Sequence, residues 1–151
     1  MSTNEEAGLA RRQSLIAEVT AKTGIDEALI RKLVHRFYQQ VREDDLIGPI
    51  FNARVKDWDD HFARLCDFWS SVTLMSGRYH GQPMPVHAAL PIEPHHFDRW
   101  LQLFARTARE VCPPPAAQYF IERAQRIADS LELGIAARRG EIREARVRPP
   151  L

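Results

Sequence analysis

Residues Ala28 to Val41 read ALIRKLVHRFYQQV, and this stretch decides the fold class. Leu29, Ile30, Leu33, Val34, Phe37, Tyr38 and Val41 recur at spacings of three and four, the period of one buried helix face. Asp26 stands before the run as an N-cap, and the segment from Asp44-Asp45 to Gly48-Pro49 ends it. The same period returns in Phe62, Leu65, Phe68, Trp69, Val72 and Met75, with Gly77 as the expected stop. A third helix starts near Pro94, a residue suited to the first turn. It runs through Phe97, Trp100, Leu101, Phe104 and Ala108 to Val111, where Pro113-Pro114-Pro115 breaks the chain. A fourth is expected from about Ala116 to Leu133, with Tyr119, Phe120, Ala124, Ile127, Ala128 and Leu131 inward and Gly134 as its C-cap. No stretch alternates apolar and polar residues at the strand period. The sequence predicts an all-α protein.

Working outward, residues 1–25 read as an N-terminal extension with a helix from Gln13 to Lys22, and 26–137 as the folded domain. Residues 138–151 carry five arginines and two glutamates. They read as a flexible, loosely attached tail whose removal from residue 140 onward should leave the site intact. Between the second and third helices, Arg78 to Glu93 contains Gly81, Pro83, Pro85 and Pro91. Only one or two turns around Val86 to Leu90 can persist there. The 151 residues suit one domain, and 44% of them are hydrophobic, enough to fill a core. Lys and Arg number 21 against 20 Asp and Glu, so the basic excess of a nucleic-acid binder is missing. No apolar run approaches the roughly 20 residues of a membrane span, and the polar N-terminus does not read as a signal peptide. Cys66 and Cys112 are too few for a disulfide framework and read as small apolar fillers. These features lead us to expect a cytoplasmic monomer without nucleic-acid or membrane partners.

Phosphate-loop, dinucleotide, nucleophile-elbow and zinc-protease signatures are absent, which turns attention to the histidines. His61 lies four residues before Leu65 and seven before Phe68, so it continues a buried stripe. Alone, it reads first as a partly buried core histidine satisfied by a neighbouring helix. Tyr38 continues the stripe of the first helix, and Trp100 that of the third; each reads equally as bulk. His87 sits among apolar residues in the proline-punctuated segment, where the backbone has little freedom. A neutral imidazole there suits a metal bound through one ring nitrogen. His95 and His96 are accounted for by the helix start at Pro94; His35 and His80 carry no signal. Together, His61, His87 and Tyr38 could meet in a cavity walled by Phe37, Phe51, Phe68, Trp69 and Trp100. Such an apolar slot fits a flat aromatic cofactor, and haem needs this set of a proximal imidazole, apolar walls and distal donors.

Over roughly residues 26 to 135 the sequence resembles the truncated haemoglobins, group III in particular. The matching stretches are Phe37-Tyr38-Gln39-Gln40-Val41-Arg42, Leu46-Ile47-Gly48-Pro49-Ile50-Phe51 and Trp58-Asp59-Asp60-His61, followed by Asp67-Phe68-Trp69. They continue with Tyr79-His80-Gly81-Gln82-Pro83-Met84, His87-Ala88-Ala89-Leu90-Pro91-Ile92, Phe97-Asp98-Arg99-Trp100-Leu101 and Arg123-Ala124-Gln125-Arg126-Ile127-Ala128. Their order and spacing carry the match. The resemblance implies a truncated globin, a two-over-two helical sandwich around haem b. It implies His87 as the proximal iron ligand, with Tyr38, His61 and Trp100 on the distal side and His61 a candidate sixth ligand. Phe51, Phe68 and Trp69 would wall the cofactor, and Arg64 would pair with a propionate. The glycine-glycine signatures of groups I and II are missing, as group III requires. The implied partners are O2, NO, CO or similar small ligands and an external electron donor. Reversible oxygen binding, NO dioxygenase and peroxidase-like chemistry are all open to such a site. The rival is a cofactor-free helical interaction module, in which His87→Ala would be nearly silent. A helix-bundle metal protein is disfavoured, because carboxylate and histidine ligands are not paired on facing helices.

Overall fold

The computed structural model describes residues 3–83, 87, 89–141 and 146–151. Among them are six helices: α1 (Thr3–Thr23), α2 (Glu27–Glu43), α3 (Gly48–Arg54), α4 (Trp58–Leu74), α5 (Pro94–Val111) and α6 (Pro114–Arg138). The all-α reading holds. α2 begins where Asp26 accepts a hydrogen bond from the Leu29 N–H at 2.8 Å, satisfying one of the first-turn donors that a helix leaves open. It buries Ile30, Leu33, Val34, Phe37, Tyr38 and Val41, the stripe that its sequence shows. α2 packs on α3, α4 and α5, and α5 packs along α6. The core thus lies around α2, with α4 and the α5–α6 pair against it.

The end of α2 is tied to α5 by charge. Asp44 accepts from the N–H groups of Leu46 and Ile47 and from Arg99, whose Nη2 stands 2.7 Å away. Burial alone would raise the Asp44 pKa, but Arg99 and these N–H groups hold it below the usual carboxylate range. That bond fixes α5 one residue before Trp100.

Four expectations change. Pro49, expected only to end α2, is also the first-turn proline of a short helix, α3. α4 stops at Leu74 rather than at Gly77, because Met75 takes the left-handed conformation (φ 52°) as its C-cap. α6 runs straight through Gly134 to Arg138, because Ile135 and Ala136 continue its buried face. Their burial outweighs the ~1 kcal/mol that a mid-helix glycine costs. α1 is twice as long as the predicted Gln13–Lys22 segment. It buries no residue fully and leans on α4 and α6, with Ile16 and Val19 half-buried. Of the turns expected around Val86 to Leu90, residues 86 and 88 lie outside the described residues.

The tail is placed with more contacts than its composition suggests. Arg146 grips Asp98 with two hydrogen bonds, of 2.6 and 3.1 Å, and reaches Glu132 at 2.7 Å. Arg148 meets Asp98, Asp129 and Glu132. The physical reason is that α5 and α6 set three carboxylates side by side, and two guanidinium forks neutralise them. Among the described residues no helix is long and apolar enough to cross a membrane.

Candidate functional site

A cavity of about 590 Å³ opens between α2, α3, α4, α5, α6 and the connection from α4 to α5. That is the size range of small-molecule and cofactor sites. Eight of the nine residues singled out from the sequence for the site line it: Tyr38, Phe51, His61, Arg64, Phe68, Trp69, His87 and Trp100. Helical spacing explains the assembly. On α4, His61, Arg64, Leu65 and Phe68 fall at i, i+3, i+4 and i+7 and so share a face. On α5, Phe97 and Trp100 stand one turn apart, and on α6 Ile127 and Leu131 do the same.

Phe37 is the exception. It was expected in the cavity wall, but it is 1% exposed and packs in the core, edge-on against Trp100 and Phe104 at ring separations of 5.6 and 5.1 Å. It is the neighbour of Tyr38, and successive residues on a helix point about 100° apart, so one of the two must turn away from the cavity. Phe37 supports Trp100 from behind instead.

The polar groups facing the cavity are few and specific. His87 Nδ1 lies 2.6 Å from the carbonyl oxygen of Pro83. A carbonyl only accepts, so Nδ1 carries the proton and Nε2 keeps its free electron pair. His61 Nε2 is buried and has no hydrogen-bond partner, the one such side-chain atom among the described residues. Burial lowers the His61 pKa, with Arg64 and His87 adding to the effect, so this imidazole is neutral. Tyr38 is 3% exposed and edge-on to His61, with ring centroids 5.7 Å apart. Burial raises its phenol well above the ordinary value, and the indole N–H of Trp100, hydrogen-bonded to the phenol, works the other way. Tyr38, His61 and Trp100 thus form one polar corner in an otherwise apolar chamber.

Sequence reasoning missed the rim. Arg54, Arg78 and His80 join Arg64 at the mouth, with Asp67 among them. Arg64 is paired to Asp60 at 3.1 Å and Arg78 to Glu27 at 3.5 Å. Arg54 closes α3 and Arg78 follows α4, so their positions at helix ends beside the site were the available signal. Tyr79 and His96 also line the cavity; His96 accepts the Glu93 N–H at 2.8 Å in a capping box that starts α5. His35 lies outside the cavity and packs against Phe62 with the two rings tilted at 40°. Cys112 is buried, which pushes its thiol up to about 11, and Cys66 is raised by the same cause, so neither is a ready nucleophile. No three His, Cys, Asp or Glu side chains among the described residues cluster as ligands of a bare metal ion.

The features fit a flat, largely apolar cofactor with acidic groups at one edge. The chamber supplies aromatic walls, a basic mouth, a histidine with its Nε2 pair free, and a buried nitrogen lacking a partner. Comparison with known proteins agrees. The bacterial-like globin family model matches residues 20–131. The chain is 35% identical over 113 residues to the group 3 truncated hemoglobin ctb of Campylobacter jejuni, covering 72% of this chain and 89% of that protein. The crystal structure of the group III truncated hemoglobin from Campylobacter jejuni superposes with a TM-score of 0.68 at 34% identity, again over 72% of this chain and 89% of that one.

Proposed function

We propose that this chain, which belongs to the group III truncated haemoglobins within the bacterial-like globin family, binds haem b in the cavity and dioxygen at its iron. The observation that carries the reading is the His87–Pro83 hydrogen bond. It fixes the tautomer that leaves Nε2 for iron, holds the ring's direction and raises the basicity of the ligand. Phe51, Phe68 and Trp69 would wall the macrocycle, and Arg64, with Arg54 and Arg78, would pair with its propionates.

Bound haem supplies a redox-active iron with a further position for a diatomic ligand. The chain's own part on that side is to aim donors. Tyr38 can donate a hydrogen bond, which favours a polar ligand such as bound O2 over CO and slows its escape, and Trp100, whose one N–H goes to the Tyr38 oxygen, orients that donor. His61, neutral and without a partner, would donate to or accept from the ligand, or would itself be available as an iron ligand when no gas is bound. Repeated redox turnover, as an NO dioxygenase or a peroxidase-like enzyme, draws electrons from an external donor.

The test is an absorption spectrum of the purified protein and of His87→Ala, ferric and dithionite-reduced, with and without CO. The expected result is a Soret band with a clean ferrous-CO shift, lost or altered in the variant. A protein that stays colourless after haem addition overturns the reading in favour of a cofactor-free helical module.

A further inference from the structure

The chain has three tryptophans and three tyrosines, and their distribution is uneven. All three tryptophans and two of the tyrosines, Tyr38 and Tyr79, belong to one network of ring contacts at the cavity; Tyr119 pairs with Arg123 elsewhere. Inside that network Trp100, Phe104 and Trp69 form a nearly parallel stack. Trp100 and Phe104 are 5.4 Å apart at 15°, and Phe104 and Trp69 are 5.1 Å apart at 18°. Phe68 then meets Trp69 at 5.6 Å and Tyr79 at 5.2 Å. The path runs from the polar corner of the cavity to a half-buried phenol whose hydroxyl lies over Gly81, an exposed residue with no side chain to cover it.

We propose that this path is a one-electron conduit and that Tyr79 is its surface terminus, where small phenolic reductants are oxidised when the protein reduces hydrogen peroxide. The inference rests on the haem reading above. In the step, the O–O bond of H2O2 breaks and two waters form, which takes two electrons and two protons. Both electrons leave through Tyr79, one at a time, by way of Trp69 and Trp100; each time the O–H bond of Tyr79 breaks and its proton passes to solvent, so the two protons that the waters need are balanced. After each loss a phenolic reductant returns a hydrogen atom to the Tyr79 oxygen and is itself oxidised by one electron, so that one H2O2 and two phenols give two waters and two phenoxyl radicals.

Tyrosine and tryptophan give up single electrons far more readily than phenylalanine, so the two indoles are the stations and the two phenylalanines the spacers. Electrostatics selects the exit. The other solvent-facing ring, Trp58, has the Arg42 guanidinium 4.6 Å from its centroid, and a fixed positive charge opposes a second one created on the indole. Tyr38 is buried at 3% exposure and has no route by which its proton reaches water. Tyr79 combines contact with the indole stack and a half-buried position at the outer end of the path; because it also lines the cavity, loss of its adduct in Trp69→Phe is what separates the stack from direct transfer.

The experiment uses the full haem-loaded protein, with loading established from its absorption spectrum. Wild type, Trp69→Phe and Tyr79→Phe are treated with H2O2 in the presence of a nitroso spin trap, and the adduct is located by peptide mass spectrometry beside freeze-quench EPR. We expect a tyrosyl radical and an adduct on Tyr79 in the wild type. We expect loss of that adduct in both variants, with the EPR signal turning to tryptophanyl in Tyr79→Phe. Tyr79→Phe sits at a half-buried position and keeps the test open should Trp69→Phe fold poorly. With haem loaded and peroxide consumed, a wild type lacking the Tyr79 adduct, a Tyr79 adduct that survives Trp69→Phe, or trapping confined to Tyr38 or Trp58 overturns the proposal. A protein that takes up no haem fails earlier, at the spectrum, and this inference falls with the haem reading.

Discussion

At the scale of single residues, the cavity is organised by what burial does to a few polar groups. Tyr38 stays a neutral donor because burial raises its phenol, and His61 stays a neutral imidazole because burial lowers it. Both therefore present uncharged hydrogen-bonding groups to a ligand across the physiological range. Tyr38→Phe removes one donor and leaves the packing almost unchanged. A hydrogen bond of about 1 kcal/mol corresponds to roughly fivefold in rate, so O2 dissociation from the haem-loaded variant should speed up by about that factor. Stopped-flow displacement of O2 by CO measures it; an unchanged rate would take Tyr38 off the distal side. The residues that reach this corner were readable from helical stripes, because Tyr38, His61 and Trp100 all continue apolar runs while carrying polar atoms. Phe37 was misplaced because a stripe about 100° wide contains positions that face a cavity and others that face the core behind it, and only the packing of α5 separates them.

At the scale of elements, α3 shows what periodicity leaves unread. Seven residues hold barely two turns, too few for a repeat, and Pro49 signals a break as readily as a start. α3 nevertheless delivers Ile50 and Phe51 to the cavity, and Gly48 allows it to. A Cβ on Gly48 would stand 2.9 Å from the Val41 carbonyl oxygen and 3.0 Å from that of Arg42. Both are backbone atoms that cannot rotate away. Gly48→Ala must push α3 off the end of α2, at about 1–3 kcal/mol, the usual range for overpacking. We expect a lower thermal midpoint together with faster transfer of haem to apomyoglobin, since the wall formed by Ile50 and Phe51 moves with the helix. A normal midpoint with normal haem retention would show that the contact relaxes without moving α3. The long helices were legible for the converse reason: α2, α4 and α5 each bury a stripe repeated over four or more turns. α6 outran its predicted end because burial of Ile135 and Ala136 outweighs the local preference of Gly134.

At the scale of the whole molecule, the terminal segment closes the α5–α6 pair through charge, a role that composition hid because five arginines in fourteen residues read as a solvated tail. Arg146 and Arg148 join Asp98 on α5 to Asp129 and Glu132 on α6, and Arg146 also donates to the carbonyl of Pro94 at 2.9 Å. Asp98 lies between Phe97 and Trp100, so the clamp holds the turn that faces the cavity. The side chains of Arg148 and Glu132 are only 11% and 10% exposed, so the charges are poorly screened and leaving one side unpaired is costly. Replacing both arginines by alanine should destabilise the protein by about 2–4 kcal/mol near neutral pH, or roughly 5–15 °C for a chain of this length. The pH dependence identifies the cause. Burial alone would raise the Asp98 pKa, but hydrogen bonds and charge from Arg146 and Arg148 hold it below its ordinary value. A carboxylate whose folded pKa is depressed adds stability that is fully present above its unfolded pKa of about 3.9 and is lost as the pH falls through the folded value. The gap in thermal midpoint between wild type and the double variant should therefore be widest at neutral pH and close below about pH 4. A gap of the same width from neutral to acid pH would mean that the segment stabilises by packing its aliphatic stems, and that the ion pairs contribute little.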